Sequence, residues 1–346
     1  MKAVTVTPGV ADSVELSEVE TPPGPGEGLL VRTLAVGVCG TDREIIAGGH
    51  GEPPRGGKQL VLGHESLGVV ETAPAASGFA QGDRVVGIVR RPDPVPCACC
   101  ARGEWDMCSN GLYTERGIKG IDGFAAERFF LEPAFAVKVD PTLGTSGVLV
   151  EPASILAKAW RRIDAICGIA CHVPEKALVI GAGPIGLLGA LFAVQRGLEV
   201  HVLDRVRAGP KPDLVEALGA TYHPGGMSAA CSGADVTLEC TGVGALVIDA
   251  MTSSGSNGIV CLTGVSTAGV DVTVDTGALN RDLVLQNDVV FGSVNANRSD
   301  YERAARDLEA ADPDWLSALI TRQVPVSSWE EAYARRDGDV KAVLVF

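Results

Sequence analysis

The sequence predicts an α/β protein in two parts, a mostly β segment followed by a doubly wound parallel sheet. Three observations carry that reading. Residues 1 to about 150 are short strand-like runs punctuated by Gly and Pro. From about residue 155 the pattern turns helical and then alternates strand with helix. The glycine run Gly181-x-Gly183-x-x-Gly186 follows a four-residue apolar strand and opens a helix. A chain of 346 residues has room for two such domains.

Residues 1–6 alternate like a strand, and residues 29–32, 68–70 and 83–89 continue the β pattern between turn clusters. Residues 177–180 read as a strand and 187–196 as a helix. Residues 200–203 are the next strand, and 212–218 a helix ended by Gly219. Residues 236–239, 258–262 and 289–291 extend the series, and such alternation implies βαβ units with a parallel sheet. The tail returns to an amphipathic helix at 300–310 and a last strand at 342–346.

Apolar residues make up 46% and charged residues 21%, ordinary globular usage that excludes wholesale disorder. A net charge of −14 repels phosphate backbones and anionic lipid, so neither nucleic acid nor a membrane is expected as partner. Residues 177–194 lack charge for 18 positions, but the glycine run interrupts them, and a strand, turn and buried helix explain them better than a membrane span. The first residues lack the long apolar run of a signal peptide, so a cytoplasmic protein is expected. Ten cysteines in that setting read as thiols. Five of them, Cys167, Cys171, Cys231, Cys240 and Cys261, read as small buried hydrophobes.

The glycine run points to a dinucleotide. Gly181 permits the tight turn, Gly183 lets backbone approach a pyrophosphate, and Gly186 packs helix on strand; Pro184 and Ile185 complete the loop. Asp204 ends the next strand, where an acid accepts hydrogen bonds from a ribose 2′-hydroxyl. That favours NAD. Arg205 and Arg207 follow directly and could grip a 2′-phosphate, so NADP stays open.

Removing hydride from an alcohol carbon requires the hydroxyl to lose its proton, a task zinc assists by lowering the pKa of a bound oxygen. Gly37-Val38-Cys39-Gly40-Thr41-Asp42 and Gly63-His64-Glu65-Ser66-Leu67-Gly68 supply a thiolate, an imidazole and a carboxylate, and Glu151-Pro152 another carboxylate. In this order the pieces resemble the zinc-dependent medium-chain dehydrogenase/reductase superfamily over essentially the whole chain. The likeness is closer still to its glucose (aldose) 1-dehydrogenase branch. Val38-Cys39-Gly40-Thr41-Asp42-Arg43-Glu44, Ala47-Gly48-Gly49-His50-Gly51, Leu62-Gly63-His64-Glu65, Val89-Arg90-Arg91-Pro92, Tyr113-Thr114-Glu115-Arg116-Gly117-Ile118, Glu151-Pro152 and Gly292-Ser293-Val294-Asn295 carry it.

The resemblance implies a GroES-like β catalytic domain at 1–155 and 303–346, and a Rossmann NAD(P)-binding domain at 156–302. It implies catalytic zinc at Cys39 and His64, with Glu65 and Glu151 as direct or water-mediated ligands. Thr41 would relay the substrate proton, and Glu115 and Glu151 would hold sugar hydroxyls, a role suited to carboxylates that each accept several hydrogen bonds. Asn295 would lie near nicotinamide and sugar. Thr241, Thr263, Gly264, Val265, Ser293 and Val294 would line the cofactor, and Lys341 would reach its phosphates. A homodimer or homotetramer is expected. The expected reaction is oxidation of the anomeric hydroxyl of a glucose- or galactose-like aldose to the lactone. A polyol, cyclitol or pathway-specific sugar is the neighbouring alternative, and a non-catalytic NAD(P)-binding protein the distant one.

The chain also departs from that pattern. A structural-zinc lobe has four cysteines spaced C-x2-C-x2-C-x7-C; Cys97, Cys100 and Cys108 match the last three, but Pro94 stands at the first. Cys99 or Asp93 could complete the tetrahedron. Ile155 and Asp300 stand where sugar-oxidising relatives often carry a polar side chain and a histidine.

Overall fold

The structure, a computed structural model, describes residues 1–22, 28–227, 231–266 and 269–346. The chain divides into two compact units, residues 1–154 with 295–346, and residues 155–294. The sequence reading drew the second boundary eight residues later, before 303.

The first unit opens with β1 (Lys2–Val6), β2 (Glu15–Glu18), β3 (Leu29–Val38), β4 (Leu60–Val61), β5 (Glu65–Thr72) and β6 (Arg84–Gly87). There follow β7 (Arg90–Arg91), β8 (Thr114–Arg116), β9 (Gly120–Ile121), β10 (Arg128–Leu131) and β11 (Ala136–Lys138). Helix α1 (Gly40–Ile46) leaves the end of β3, and the first boundary falls within α2 (Val150–Ala170). The second unit alternates β12 (Lys176–Ile180), α3 (Pro184–Gln195), β13 (Glu199–Asp204), α4 (Pro210–Ala217), β14 (Thr221–Pro224) and β15 (Ala234–Glu239). It continues with α5 (Gly244–Thr252), β16 (Ser254–Leu262), α6 (Thr276–Gln286) and β17 (Val289–Gly292). The chain then returns to the first unit through α7 (Arg298–Glu309), α8 (Pro313–Leu319), β18 (Arg322–Pro325), α9 (Trp329–Tyr333) and β19 (Ala342–Val345).

The main sheet of the first unit runs β11-β6-β5-β3-β19-β18, with β10 also on β3. The long strand β3 is its hub, antiparallel to β5 on one side and to β19 on the other. Its inward residues Leu29, Val31, Val36 and Val38 pack with Val70, Val85, Phe124, Phe129 and Leu344 into one buried cluster. Fully burying such side chains contributes about 1.5–3 kcal/mol each. Small sheets β2-β1-β4 and β7-β8-β9 complete the unit.

The second unit is a six-stranded sheet in the order β14-β13-β12-β15-β16-β17, every pair parallel. Buried on both faces, β12 reads as a continuous apolar run, which is why its sequence was legible. The edge strand β14 was missed. Its residues Thr221, Tyr222, His223 and Pro224 carry no apolar alternation, and only pairing with β13 makes them a strand. All ten cysteines are free. Cys167, Cys231 and Cys261 are buried, but Cys171 is exposed, contrary to the buried reading, because it sits in a left-handed turn (φ +53°) just past α2. No helix among the described residues is long and apolar enough to cross a membrane.

Candidate metal centre and dinucleotide site

Strand β3 ends at Val38 and the chain turns into α1, which leaves Cys39 at the helix N-terminus. Thr41 lies in the first turn, with Oγ1 3.9 Å from Cys39 Sγ. Between β4 and β5, Gly63 takes φ +86°, a conformation that other residues rarely adopt. The turn delivers His64 and Glu65 at the start of β5, beside the end of β3. Ligand atoms of Cys39, His64 and Glu65 consequently lie within 4.8 Å of one another. His64 is 4% exposed and Glu65 1%.

Asp42, fully buried, ties the two loops together. Its Oδ2 accepts the Cys39 amide at 2.8 Å, and its Oδ1 stands 3.3 Å from His64 Nδ1. Burial alone would depress His64, but the facing carboxylate outweighs it and raises the imidazole well above its ordinary value. Burial pushes Asp42 up, while His64 and the Cys39 amide together bring it below the usual carboxylate range. The sequence motif assigns Asp42 no role; an acid three residues beyond Cys39 is the signal that points to it.

Glu151, in the first turn of α2, is also buried. Burial pushes its carboxyl up to about 7, His64 and Lys341 working against the shift and Glu65 and Asp42 with it. It stands near enough to the others to be felt electrostatically, yet outside the 4.8 Å group.

Lys341, expected at the cofactor phosphates, has a protein partner. In the structure it is 2% exposed and its ammonium is ion-paired with both carboxylate oxygens of Glu65. A buried lysine demands such a partner, because an unpaired charge away from water is too costly to keep.

The residues fit a zinc ion. A thiolate, an imidazole and a carboxylate are its usual donors, and a zinc-bound histidine commonly turns its other ring nitrogen to a carboxylate, as His64 does to Asp42. Glu65 is buried, and its carboxylate lies close enough to the thiolate and the imidazole for one cation to meet all three.

Two further expected residues meet in the first unit. Asn295, in a left-handed conformation (φ +60°), donates from Nδ2 to Glu115 Oε1 at 2.6 Å. The same oxygen accepts from Arg90 Nε and Nη2 at 3.1 and 3.0 Å, so Glu115 is held rigidly by a guanidinium. Asp300, one of the departures, caps α7 by accepting the Asn297 amide at 3.3 Å.

The second cysteine cluster also assembles, with the sulfurs of Cys97, Cys100 and Cys108 within 4.8 Å of one another. Amides of Cys100 and Ser109 bring the half-buried Cys97 thiol down to about 5, whereas burial and the neighbouring thiols push Cys100 up to about 11. Neither Cys99 nor Asp93 joins the three within that distance. Asp93 is 3% exposed; its amide donates to Cys100, and its Oδ2 is buried without a partner.

In the second unit, Gly181 (φ +102°) turns the chain from β12 into α3. A Cβ on Gly186 would overlap Gly181 O, and a Cβ on Gly183 would meet nothing within 4 Å, which leaves the loop's outer face open to a ligand. Pro184 and Ile185 form the first turn of α3, where free amides suit a pyrophosphate. Asp204 is already engaged: it accepts the Ala182 and Val206 amides at 2.8 and 3.0 Å and pairs with Lys211 at 3.1 Å. Arg205 and Arg207 are exposed beside it. Thr241, then Thr263, Gly264 and Val265, then Ser293 and Val294, lie just past the C-terminal ends of β15, β16 and β17. The carboxyl ends of parallel strands are where open α/β sheets take their ligands.

Known proteins resemble the chain along its length. The family model described as "Glucose dehydrogenase C-terminus" matches residues 144–346, and "Alcohol dehydrogenase GroES-like domain" matches residues 24–141. The chain is 40% identical to the glucose 1-dehydrogenase of Methanocella arvoryzae over 99% of both chains. It is 38% identical to that of Thermoproteus tenax, again over 99% of both. Among solved structures, Haloferax mediterranei glucose dehydrogenase in complex with NADP, Zn and gluconolactone superposes with a TM-score of 0.92 at 34% identity, covering 100% of this chain and 99% of that one.

Proposed function

The chain belongs to the glucose dehydrogenase family of the zinc-dependent medium-chain dehydrogenases, and from that premise we propose that it oxidises the anomeric hydroxyl of glucose or a similar aldose to the lactone while reducing NAD(P)+. The observation that carries the reading is the convergence of Cys39, His64 and Glu65 within 4.8 Å, around an oriented imidazole. The relatives named glucose 1-dehydrogenase, and the related structure holding NADP, Zn and gluconolactone, support the aldose assignment.

Cys39 and His64 would hold the zinc, with Glu65 and Glu151 as direct or water-mediated ligands. When bound, the ion supplies Lewis acidity, which lowers the pKa of the reacting hydroxyl. Thr41 accepts the hydroxyl proton and passes it towards solvent. Glu115 and Asn295 hold neighbouring sugar hydroxyls, and a site of that kind rejects substrates lacking them. A bound nicotinamide would take the C1 hydride, so that each aldose would yield one lactone, one reduced cofactor and one proton. The amides at the start of α3 hold the pyrophosphate. Asp204 suits NAD, whereas Arg205 and Arg207 suit the extra phosphate of NADP. Cys97, Cys100 and Cys108, with Asp93 as fourth donor, would hold a structural zinc.

A panel of aldoses, polyols and cyclitols with NAD and NADP tests the proposal. Turnover of glucose or galactose with a lactone product supports it; turnover of a polyol but of no aldose overturns it.

A further inference from the structure

Strands β5 and β19 do not pair with each other, because β3 lies between them. Gly37 of β3 is opposite Glu65 on one side and Val343 on the other. Lys341, two residues before Val343, shares its face, since strand side chains alternate. Its ammonium meets the Glu65 carboxylate across Gly37. A Cβ at Gly37 would overlap Glu65 Oε2 and come within 3.0 Å of Lys341 Cε. Gly37 has no positive φ, so what the position requires is space rather than an unusual backbone.

The same carboxylate stands within 4.8 Å of Cys39 and His64. It is shared between two cationic partners, the ammonium on one side and the proposed ion on the other. Both its oxygens are engaged by Lys341, so a direct bond from Glu65 to a metal competes with the ammonium for the carboxylate's charge and lone pairs. We propose that Lys341 is a positioning residue: through the gap at Gly37 it holds Glu65 back as an exchangeable, water-separated ligand and keeps a coordination position open for the substrate hydroxyl. This rests on the reading of Cys39 and His64 as zinc ligands.

A four-protein cycle tests it: wild type, Lys341→Met, Glu65→Gln and the double variant, with zinc affinity measured by chelator competition and the visible spectrum recorded on the cobalt-substituted forms. Groups just outside a metal's ligands shift its affinity by about 10–100-fold. Lys341→Met is expected to bind zinc about tenfold more tightly and to show weaker cobalt bands, as Glu65 enters the coordination shell. Both changes vanish in the Glu65→Gln background, and Lys341→Arg restores the wild-type values. A folded Lys341→Met with unchanged affinity and spectrum overturns the inference, as does a change that persists in the Glu65→Gln background. If Lys341→Met folds only with zinc present, the ion has replaced the ammonium as counter-charge, as expected; if saturating zinc leaves it unfolded, the inference fails. Should Cys39→Ser leave zinc at this centre undisturbed, the metal reading itself is wrong; with that reading intact, a flat cycle removes only the role of Lys341.

Discussion

Asp42 Oδ1 lies 3.3 Å from His64 Nδ1, and through its other oxygen Asp42 also holds the Cys39 amide. One buried carboxylate thus fixes both loops that carry the proposed donors. Asp42→Asn keeps the shape but removes the charge facing the imidazole. It is expected to weaken zinc binding about 10–100-fold, measured by chelator competition, and to leave cofactor affinity unchanged.

The three glycines of the cofactor loop separate packing from binding. Gly186→Ala forces a Cβ into Gly181 O and is expected to destabilise the protein by about 1–3 kcal/mol. Gly183→Ala meets no atom within 4 Å and has φ −83°, so its stability should match wild type while cofactor binding weakens. Thermal unfolding and titration with reduced cofactor distinguish the two; equal destabilisation of both variants would contradict this division.

Much of that site was legible because its signals are local. A glycine turn must sit between a strand and a helix, and an acid at the end of the next strand is visible at a fixed interval, as with Asp204. The meeting of Cys39 with His64 was legible through the family's ordered strings. Lys341 was not, because its partner lies 276 residues away and their contact depends on a third residue, Gly37, having no side chain. Strand β14 was hidden because an edge strand with polar residues has no period to read. The fourth position of the cysteine lobe was left open between Asp93 and Cys99; the buried, partnerless oxygen of Asp93 is a tertiary fact.

Asp204 links the cofactor loop to pH. Burial raises its carboxyl, but the amides of Val206 and Ala182 with Lys211 bring it below its ordinary value of 3.8. A carboxyl depressed by folding contributes stability that is present above its unfolded pKa and lost as pH falls through the folded one. Asp204→Asn is therefore expected to be less stable than wild type near neutrality, with the gap closing below about pH 4. Urea denaturation across that range measures it; a gap constant with pH would show that the charge of Asp204 is not what matters.

The cysteine lobe predicts a count. Asp93→Ala is expected to lower bound zinc from about two ions per chain to about one, and Cys99→Ala to leave it unchanged. Elemental analysis of the purified proteins decides; the opposite pattern would make Cys99 the fourth ligand.

The proposed catalysis depends on thiolate and imidazole acting as one centre. The direct measurement is the rate of NAD(P) reduction by glucose in wild type, Cys39→Ala and His64→Ala, with zinc content and cofactor affinity determined on the same samples. Loss of turnover together with one zinc, at unchanged cofactor affinity, is the predicted result. Full turnover in either variant would contradict it.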